Sequence, residues 1–272
     1  MFFLPNKLPL FKGKLRIFKF LIDKFLNNSL SRILKVKHGL IFHVPNLQEN
    51  LSLELMVNGI YESHIVNYLV NKLPLNGCMI DVGANIGTIS IFVAKLRPDV
   101  KIYAFEASPR IFNFLEKNVI INKLTNVFIY NIAIHEEDNT KIKFYAPIDK
   151  FGKGSFSPVF TKIAEEVSTK RLDTFFLKQA LQPDIIKVDV EGYEYTVFKS
   201  MQNYLKVVKQ KPQILFEFVD WAEKLSEVKI AGSAQRFLVE EGYEIFKMGT
   251  TKIHLEKIET ILTIGSADLL AK

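Results

Sequence analysis

Residues 79 to 87, Met-Ile-Asp-Val-Gly-Ala-Asn-Ile-Gly, leave this chain few architectures. A short apolar run ends in an acid and breaks at once into a glycine-spaced turn, the pattern of a buried strand feeding a nucleotide-binding loop. Gly83 and Gly87 let the backbone bend sharply and approach a ligand closely. Thr88 to Lys95 then begins an amphipathic helix, so a ligand in the loop meets a helix N-terminus. A strand-turn-helix joint can also need glycine for packing alone, and the loop requires support from elsewhere in the chain.

That support comes from the next strand, Lys101 to Phe105, which ends in Glu106, 19 residues beyond Gly87. An acid there is placed to accept both ribose hydroxyls of an adenosine. A dinucleotide pyrophosphate would call for Gly-x-Gly-x-x-Gly, whereas the spacing here is Gly-x-x-x-Gly and the strand carries Asp81. A carboxylate repels a pyrophosphate and attracts a sulfonium and an amino group. The turn therefore favours S-adenosylmethionine over a nicotinamide dinucleotide, with Asp81, Gly83, Ala84, Asn85, Gly87, Glu106 and Ala107 as expected cofactor contacts. Ala133, at the end of a third strand over Val127 to Ile132, is small enough to admit a flat base. Glu62, just before a helix over Ser63 to Leu73, reads equally as a cofactor contact or a solvated helix start.

A second informative stretch runs from Asp184 to Glu194. Pro183 stops the preceding helix, and Ile185 to Val190 forms a strand whose period of two puts Lys187, Asp189 and Glu191 on one side. Charges on an apolar strand are costly unless they pair or meet a polar cleft. Ligands of open parallel sheets collect beyond the carboxyl ends of the strands, so Asp81, Glu106, Asp189, Glu191 and Glu217 should converge. Lys187, Asp189 and Glu191 are candidate site residues, Asp189 also as a cofactor contact. Pairing of Lys187 with Glu217 is the structural alternative. No spacing specifies a metal site, and none is expected. Phe151 to Phe156, with Gly152 and Gly154, reads as a mobile loop over the site.

The net charge of +7 is concentrated at one end. Residues 1 to 37 hold nine Lys or Arg against Asp23 alone, leaving 27 basic and 28 acidic groups in the rest. A nucleic-acid binder would more commonly spread such charge over its body. Leu15, Phe18, Ile22, Phe25 and Leu26 recur at helical spacing, with Lys12, Arg16, Lys19 and Asp23 along another face. This basic amphipathic helix is too interrupted to span a bilayer and has no signal-peptide pattern. Packing on the domain or on a second copy is the first expectation, and peripheral contact with an anionic membrane the second. One cysteine, Cys78, fits a reducing, cytoplasmic setting or the inner face of a membrane. The division expected is a basic extension over 1–50, made of the helix and a hairpin over Ile33 to Val44, and a catalytic domain over 51–272. Strands are expected at Tyr243 to Met248 and Glu259 to Ile264, after a helix from Ser233.

Taken together, Ile80 to Gly87, Phe105 to Pro109, Arg171 to Phe175 and Ile186 to Glu194 resemble the FkbM family of S-adenosylmethionine-dependent methyltransferases, over about Gly59 to Glu217. The resemblance implies an α/β fold, Rossmann-like and of class I: a mostly parallel central sheet, helices on both faces and an antiparallel C-terminal strand. It implies O-methylation of a sugar, glycan or natural-product hydroxyl, for which Asp189 or Glu191 is the candidate general base and Lys187 the group that stabilises the alkoxide. Ala107-Ser108 stands where the family more often has a proline, and Thr88 where an aromatic is common, which leaves the acceptor open. A nucleic-acid methyltransferase using the basic arm, and a cofactor-binding protein without catalysis, are the alternatives. Homo-oligomerisation is left open.

Overall fold

The computed structural model describes residues 8, 9, 11, 13–25, 30–147, 150–156, 158, 161–226, 228–249 and 254–272. Helix α1 (Lys14–Phe25) leads into a hairpin of β1 (Arg32–Lys35) and β2 (Ile41–Val44), then α2 (Asn50–Asn58) and α3 (Ser63–Lys72). The central alternation follows: β3 (Cys78–Val82), α4 (Thr88–Leu96), β4 (Lys101–Phe105), α5 (Pro109–Ile121) and β5 (Val127–Tyr130). Three strands, β6 (Ala133–Ile134), β7 (Lys141–Tyr145) and β8 (Ala164–Lys170), form a separate small sheet in the order β6-β8-β7. Beyond them come α6 (Leu172–Gln179), β9 (Ile185–Val188), α7 (Glu194–Lys199), α8 (Gln202–Val207), β10 (Gln213–Val219), α9 (Asp220–Leu225) and α10 (Ser233–Glu240). The chain closes with β11 (Ile245–Met248), β12 (Leu255–Lys257) and β13 (Ser266–Ala271).

The main sheet has eight strands in the order β12-β11-β13-β10-β9-β3-β4-β5. From β5 to β10 neighbouring strands are parallel, and β13 adds antiparallel to β10. This is the Rossmann-like α/β class the sequence implies. Strand alternation divides the core cleanly. Met79, Ile102 and Ile185 face a layer containing Ile89, Phe92 and Leu115 of α4 and α5, whereas Ile80, Phe105, Ile186 and Phe216 face Phe175, Phe198 and Phe237.

The N-terminal hairpin belongs to the first of these layers. Leu34, Phe42 and Val44 are buried in it, and Asn118 of α5 accepts from the His43 N–H at 2.6 Å. Residue 50 is therefore no packing boundary. Residues Glu259 to Ile264, expected as a strand, form none. The Leu262 N–H donates to Gln235 Oε1 at 2.9 Å and its carbonyl accepts from Gln235 Nε2 at 3.0 Å, which ties this segment to α10. The place beside β10 is taken by Ser266–Ala271, whose Leu269, Leu270 and Ala271 are fully buried.

Candidate active site

Two features of local chemistry set the loop after β3. Gly83 has φ 77° and Gly87 φ 89°, the left-handed region that a side chain resists. A Cβ on Gly83 would lie 1.9 Å from the Asp189 carbonyl oxygen, so the loops after β3 and β9 touch backbone to backbone. Gly83 and Ala84 both donate their N–H to the Phe105 carbonyl, at 3.0 and 2.9 Å. Helix α4 starts at Gly87 without a side-chain cap and without an acid in its first turn, leaving its N-terminus open to an anionic group. Strand order reverses between β3 and β9, and the carboxyl ends of these strands frame a crevice.

Two adjoining cavities occupy it. One is lined by Phe105, Ala107, Ile132 to Ile134, Phe144 and Phe156, with Glu106 in its wall at the end of β4 and Asp189 and Glu191 at its junction with the other. Glu106 is buried, its two oxygens accepting from the Asn85 and Ser108 N–H groups, each at 2.9 Å. Burial pushes its carboxyl up to about 7 against those two bonds. Asn131 holds the following turn by donating to the Glu106 and Ala107 carbonyls at 2.9 and 3.0 Å. Ser108 caps α5 and Pro109 opens it, which fixes the direction of the chain after the acid.

The second cavity is polar and acidic, lined by Glu49, Tyr61, Glu62, Lys187, Asp189, Glu191 and Glu217 among others. Gly83, Asn85, Gly152, Asp189 and Glu191 belong to both cavities, so the two form one continuous crevice. Lys187 lies 3.5 Å from Asp81 Oδ1 and 3.2 Å from Asp189 Oδ2. Burial works against its charge, but Asp189, Asp81 and Glu62 outweigh it and hold the ammonium pKa above its ordinary value. Glu62 sits at the start of α3 in a left-handed conformation, φ 43°. Desolvation and the Asp189 charge push its carboxyl up to about 7. Glu191, also left-handed at φ 51°, is pushed up to about 7 by the same two causes in the same order. Glu217 is pushed higher, to about 9, by burial and its acidic neighbours.

The structure thus brings Gly83, Ala84, Asn85, Glu106, Ala107, Ala133, Glu62, Lys187, Asp189 and Glu191 to the crevice. Gly87 shapes the loop from outside the lining. Asp81 is placed differently from expectation. It is fully buried, accepts from Ser90 Oγ at 2.6 Å, and lines neither cavity, because its position on β3 turns it toward α4. Its role is to hold Lys187. Lys187 makes these two pairs to aspartates instead of the alternative pair with Glu217. Glu62 is no solvated helix start, since it lies against the same lysine cluster. Sequence reading missed His64 and Asp268, whose Nε2 and Oδ2 are 2.8 Å apart; Asp268 faces Glu217 across the β10–β13 pair. Among the described residues no group of three or more His, Cys, Asp or Glu is arranged to hold a metal ion.

The sequence pattern described as the methyltransferase FkbM domain matches residues 81–245, more than half of the chain. The chain belongs to the FkbM methyltransferase family. S-adenosylmethionine is the cofactor that goes with that family, and the residues present fit it. Aromatic and aliphatic walls beside a glutamate fixed by two hydrogen bonds suit an adenosine, and an acidic second cavity beside an uncapped helix start suits a sulfonium and an amino-acid end. Among curated relatives, the methyltransferase sdnD of Sordaria araneosa is 28% identical over 165 residues, covering 49% of this chain and 64% of that protein. Methyltransferase 1 of Beauveria bassiana is 24% identical over 156 residues, covering 50% and 63%. The chain therefore spans somewhat under two thirds of the length of these relatives. Among solved structures, a precorrin-6y C5,15-methyltransferase from Geobacter metallireducens is similar at 16% identity and TM-score 0.43, over 76% of this chain and 85% of that one. M. jannaschii TYW2 in complex with AdoMet is similar at 14% identity and TM-score 0.44, over 91% and 87%.

Proposed function

We propose that this protein is an S-adenosylmethionine-dependent O-methyltransferase acting on a hydroxyl of a sugar, glycan or natural-product-like small molecule. The observation that carries this reading is the pairing, in one crevice, of a desolvated glutamate with a lysine held between two aspartates. The bound cofactor supplies an electrophilic methyl group on a sulfonium. What the protein adds is position, a base and a fixed field.

Glu191 is the residue best placed to take the acceptor proton. A carboxyl near 7 is substantially ionised at neutral pH yet more basic than an ordinary glutamate, the compromise a general base needs. The hydroxyl proton passes to Glu191 as its oxygen gains the methyl. Lys187, kept protonated by its neighbours, faces the oxygen as negative charge develops there, and Asp189 and Asp81 hold the ammonium in place. Asp189 is the weaker candidate for base because its carboxylate is engaged by Lys187 at 3.2 Å. The acids lining the second cavity, with Lys187 among them, disfavour a phosphate-bearing acceptor and favour a neutral one.

The test is methyl transfer from labelled cofactor to fractionated sugars, glycans and small metabolites. The label should survive mild alkali, as an ether does. Glu191→Gln should lower turnover by about 10²- to 10⁴-fold with cofactor affinity kept. Label found in nucleic acid, or in an alkali-labile ester, overturns the acceptor class; full turnover by the variant overturns the choice of base.

A further inference from the structure

We propose that the outer face of α1 is a docking surface for an anionic lipid bilayer. Of the residues that periodicity singles out, Leu15, Phe18 and Ile22 pack inward: Ile22 is buried in the core, and Leu15 and Phe18 are half-buried against it, while the Phe25 side chain and Leu26 lie outside what the structure describes. That contact accounts for one apolar stripe of the helix. It leaves a second that periodicity did not single out.

Ile17, Phe20 and Leu21 are 51%, 64% and 39% exposed, and at 100° per residue they fall within one sector opposite the buried stripe. Phe11, 48% exposed, lies just ahead of the helix. Large apolar side chains exposed together on a short helix are not needed for folding, since the inward stripe already anchors it. Lys24 lies within the outward sector and Arg16 borders it, while Lys19 and the one acid, Asp23, lie further round the helix; all four are exposed. The Lys24 ammonium stands 5.9 Å from the Phe20 ring centre, so charge and apolar surface are intermixed. The helix is far too short to span a bilayer, and among the described residues no helix is long and apolar enough to do so. Apolar side chains that enter the acyl boundary, set among cations at headgroup level, are the signature of a helix lying in the interface.

The choice of occupant follows from charge. A second copy meeting this face about a two-fold axis would set Arg16 and Lys24 against the same cations. A nucleic acid would engage the cations and leave Ile17, Phe20 and Leu21 without partners. An anionic leaflet uses both sets at once. Residues 1 to 37 as a whole carry nine basic groups and one acid, which extends the attraction beyond the helix. Membrane attachment would place the crevice of this methyltransferase near acceptors held at a bilayer surface.

Co-sedimentation of the full chain with vesicles of phosphatidylcholine, with and without phosphatidylglycerol, tests this. Binding is expected only to the anionic vesicles and should fall at least about ten-fold at high salt, where screening shortens to a few ångströms. Ile17→Ser/Phe20→Ser and Arg16→Glu/Lys24→Glu should each weaken it by about ten-fold or more, with melting temperature and cofactor affinity unchanged. Both variants alter exposed side chains only, so a melting shift in one leaves the other to decide. No binding by the full chain overturns the proposal, as does wild-type binding by both variants. A dimer in light scattering that Ile17→Ser/Phe20→Ser abolishes, with vesicle binding intact, assigns the face to a second copy instead.

Discussion

Replacing Glu106 with glutamine separates what this residue does for the fold from what it does for the cofactor. In the protein both carboxylate oxygens are engaged, one by the Asn85 N–H and one by the Ser108 N–H, each at 2.9 Å, in a fully buried setting. The amide of glutamine can accept only one of these bonds and turns its NH₂ toward the other donor. Leaving one buried donor unmatched costs about 1 to 3 kcal/mol, and at roughly 2 to 4 °C per kcal/mol for a chain of this size the melting temperature should fall by about 2 to 12 °C. The ribose would lose a charged acceptor, worth roughly 1.5 to 3 kcal/mol, or about ten- to a hundred-fold in affinity. Since the ribose is common to S-adenosylmethionine and its demethylated product, calorimetry should show the same loss for both. Circular dichroism confirms that the variant is folded at the temperature of the titration. Affinity within about two-fold of wild type in a folded variant would refute the assignment of Glu106 to the ribose.

Gly83→Ala should destabilise by several kcal/mol and weaken cofactor binding, because a Cβ would meet the Asp189 carbonyl at 1.9 Å and the φ of 77° is unfavourable for alanine; thermal melts and calorimetry read both effects. Stability of the ligand-free protein should fall from about pH 5 to pH 9, read by melting temperature. The sign is the same for each group: Glu62 and Glu191 near 7, Glu217 near 9 and His64, raised by its bond to Asp268, all keep protons in the folded chain that the unfolded chain releases at lower pH. His64→Gln should flatten the part of this slope that lies above the ordinary histidine value. S-adenosylmethionine should bind more tightly as pH rises through 7, since ionised Glu62 attracts its sulfonium, while the uncharged thioether of the product should show a weaker trend. A product trend as steep as that of the cofactor counts against sulfonium attraction.

The parts of this protein that were legible in its sequence are those whose causes are local. Met79 to Gly87 is a buried strand ended by two residues that need left-handed backbone, and Glu106 follows the next such strand, so loop and acid could be placed without knowing the tertiary structure. Charges joined by register could not. Asp81 and Lys187 are opposite one another only because β3 lies beside β9, and His64 meets Asp268 across 204 residues because β13 returns antiparallel to β10. The apolar alternation of Glu259 to Ile264 suggested a strand, but Gln235 takes both backbone groups of Leu262 and leaves the sheet position to Ser266–Ala271. β8, Ala-Glu-Glu-Val-Ser-Thr-Lys, carries too little apolar residue to be read as a strand and is held by pairing with β7. The outward stripe of α1 escaped notice for the opposite reason: the helix has apolar residues on two faces, and periodicity reports the one that fits first.

One consequence of the sheet register explains why so many acids sit together at tolerable cost. Asp81, Lys187, Asp189, Glu217 and Asp268 occupy the positions that alternate with Ile80, Ile186, Val188, Phe216 and Leu269, so they belong to the layer carrying Met79, Ile185 and Leu215. Along one face of four neighbouring strands, charge replaces hydrophobic side chain only toward the carboxyl ends of β3, β9 and β10 and the amino end of antiparallel β13, where the crevice opens. A lysine paired to two aspartates fixes the middle of this row, and the acids beyond it relieve their repulsion by holding protons, as the raised carboxyls of Glu62 and Glu217 indicate. Such a row is poorly satisfied by its own neighbours, since neither burial nor like charge favours ionisation. A cationic ligand completes it, which makes the same feature a stability defect in the free protein and a source of selectivity for a sulfonium over its neutral product.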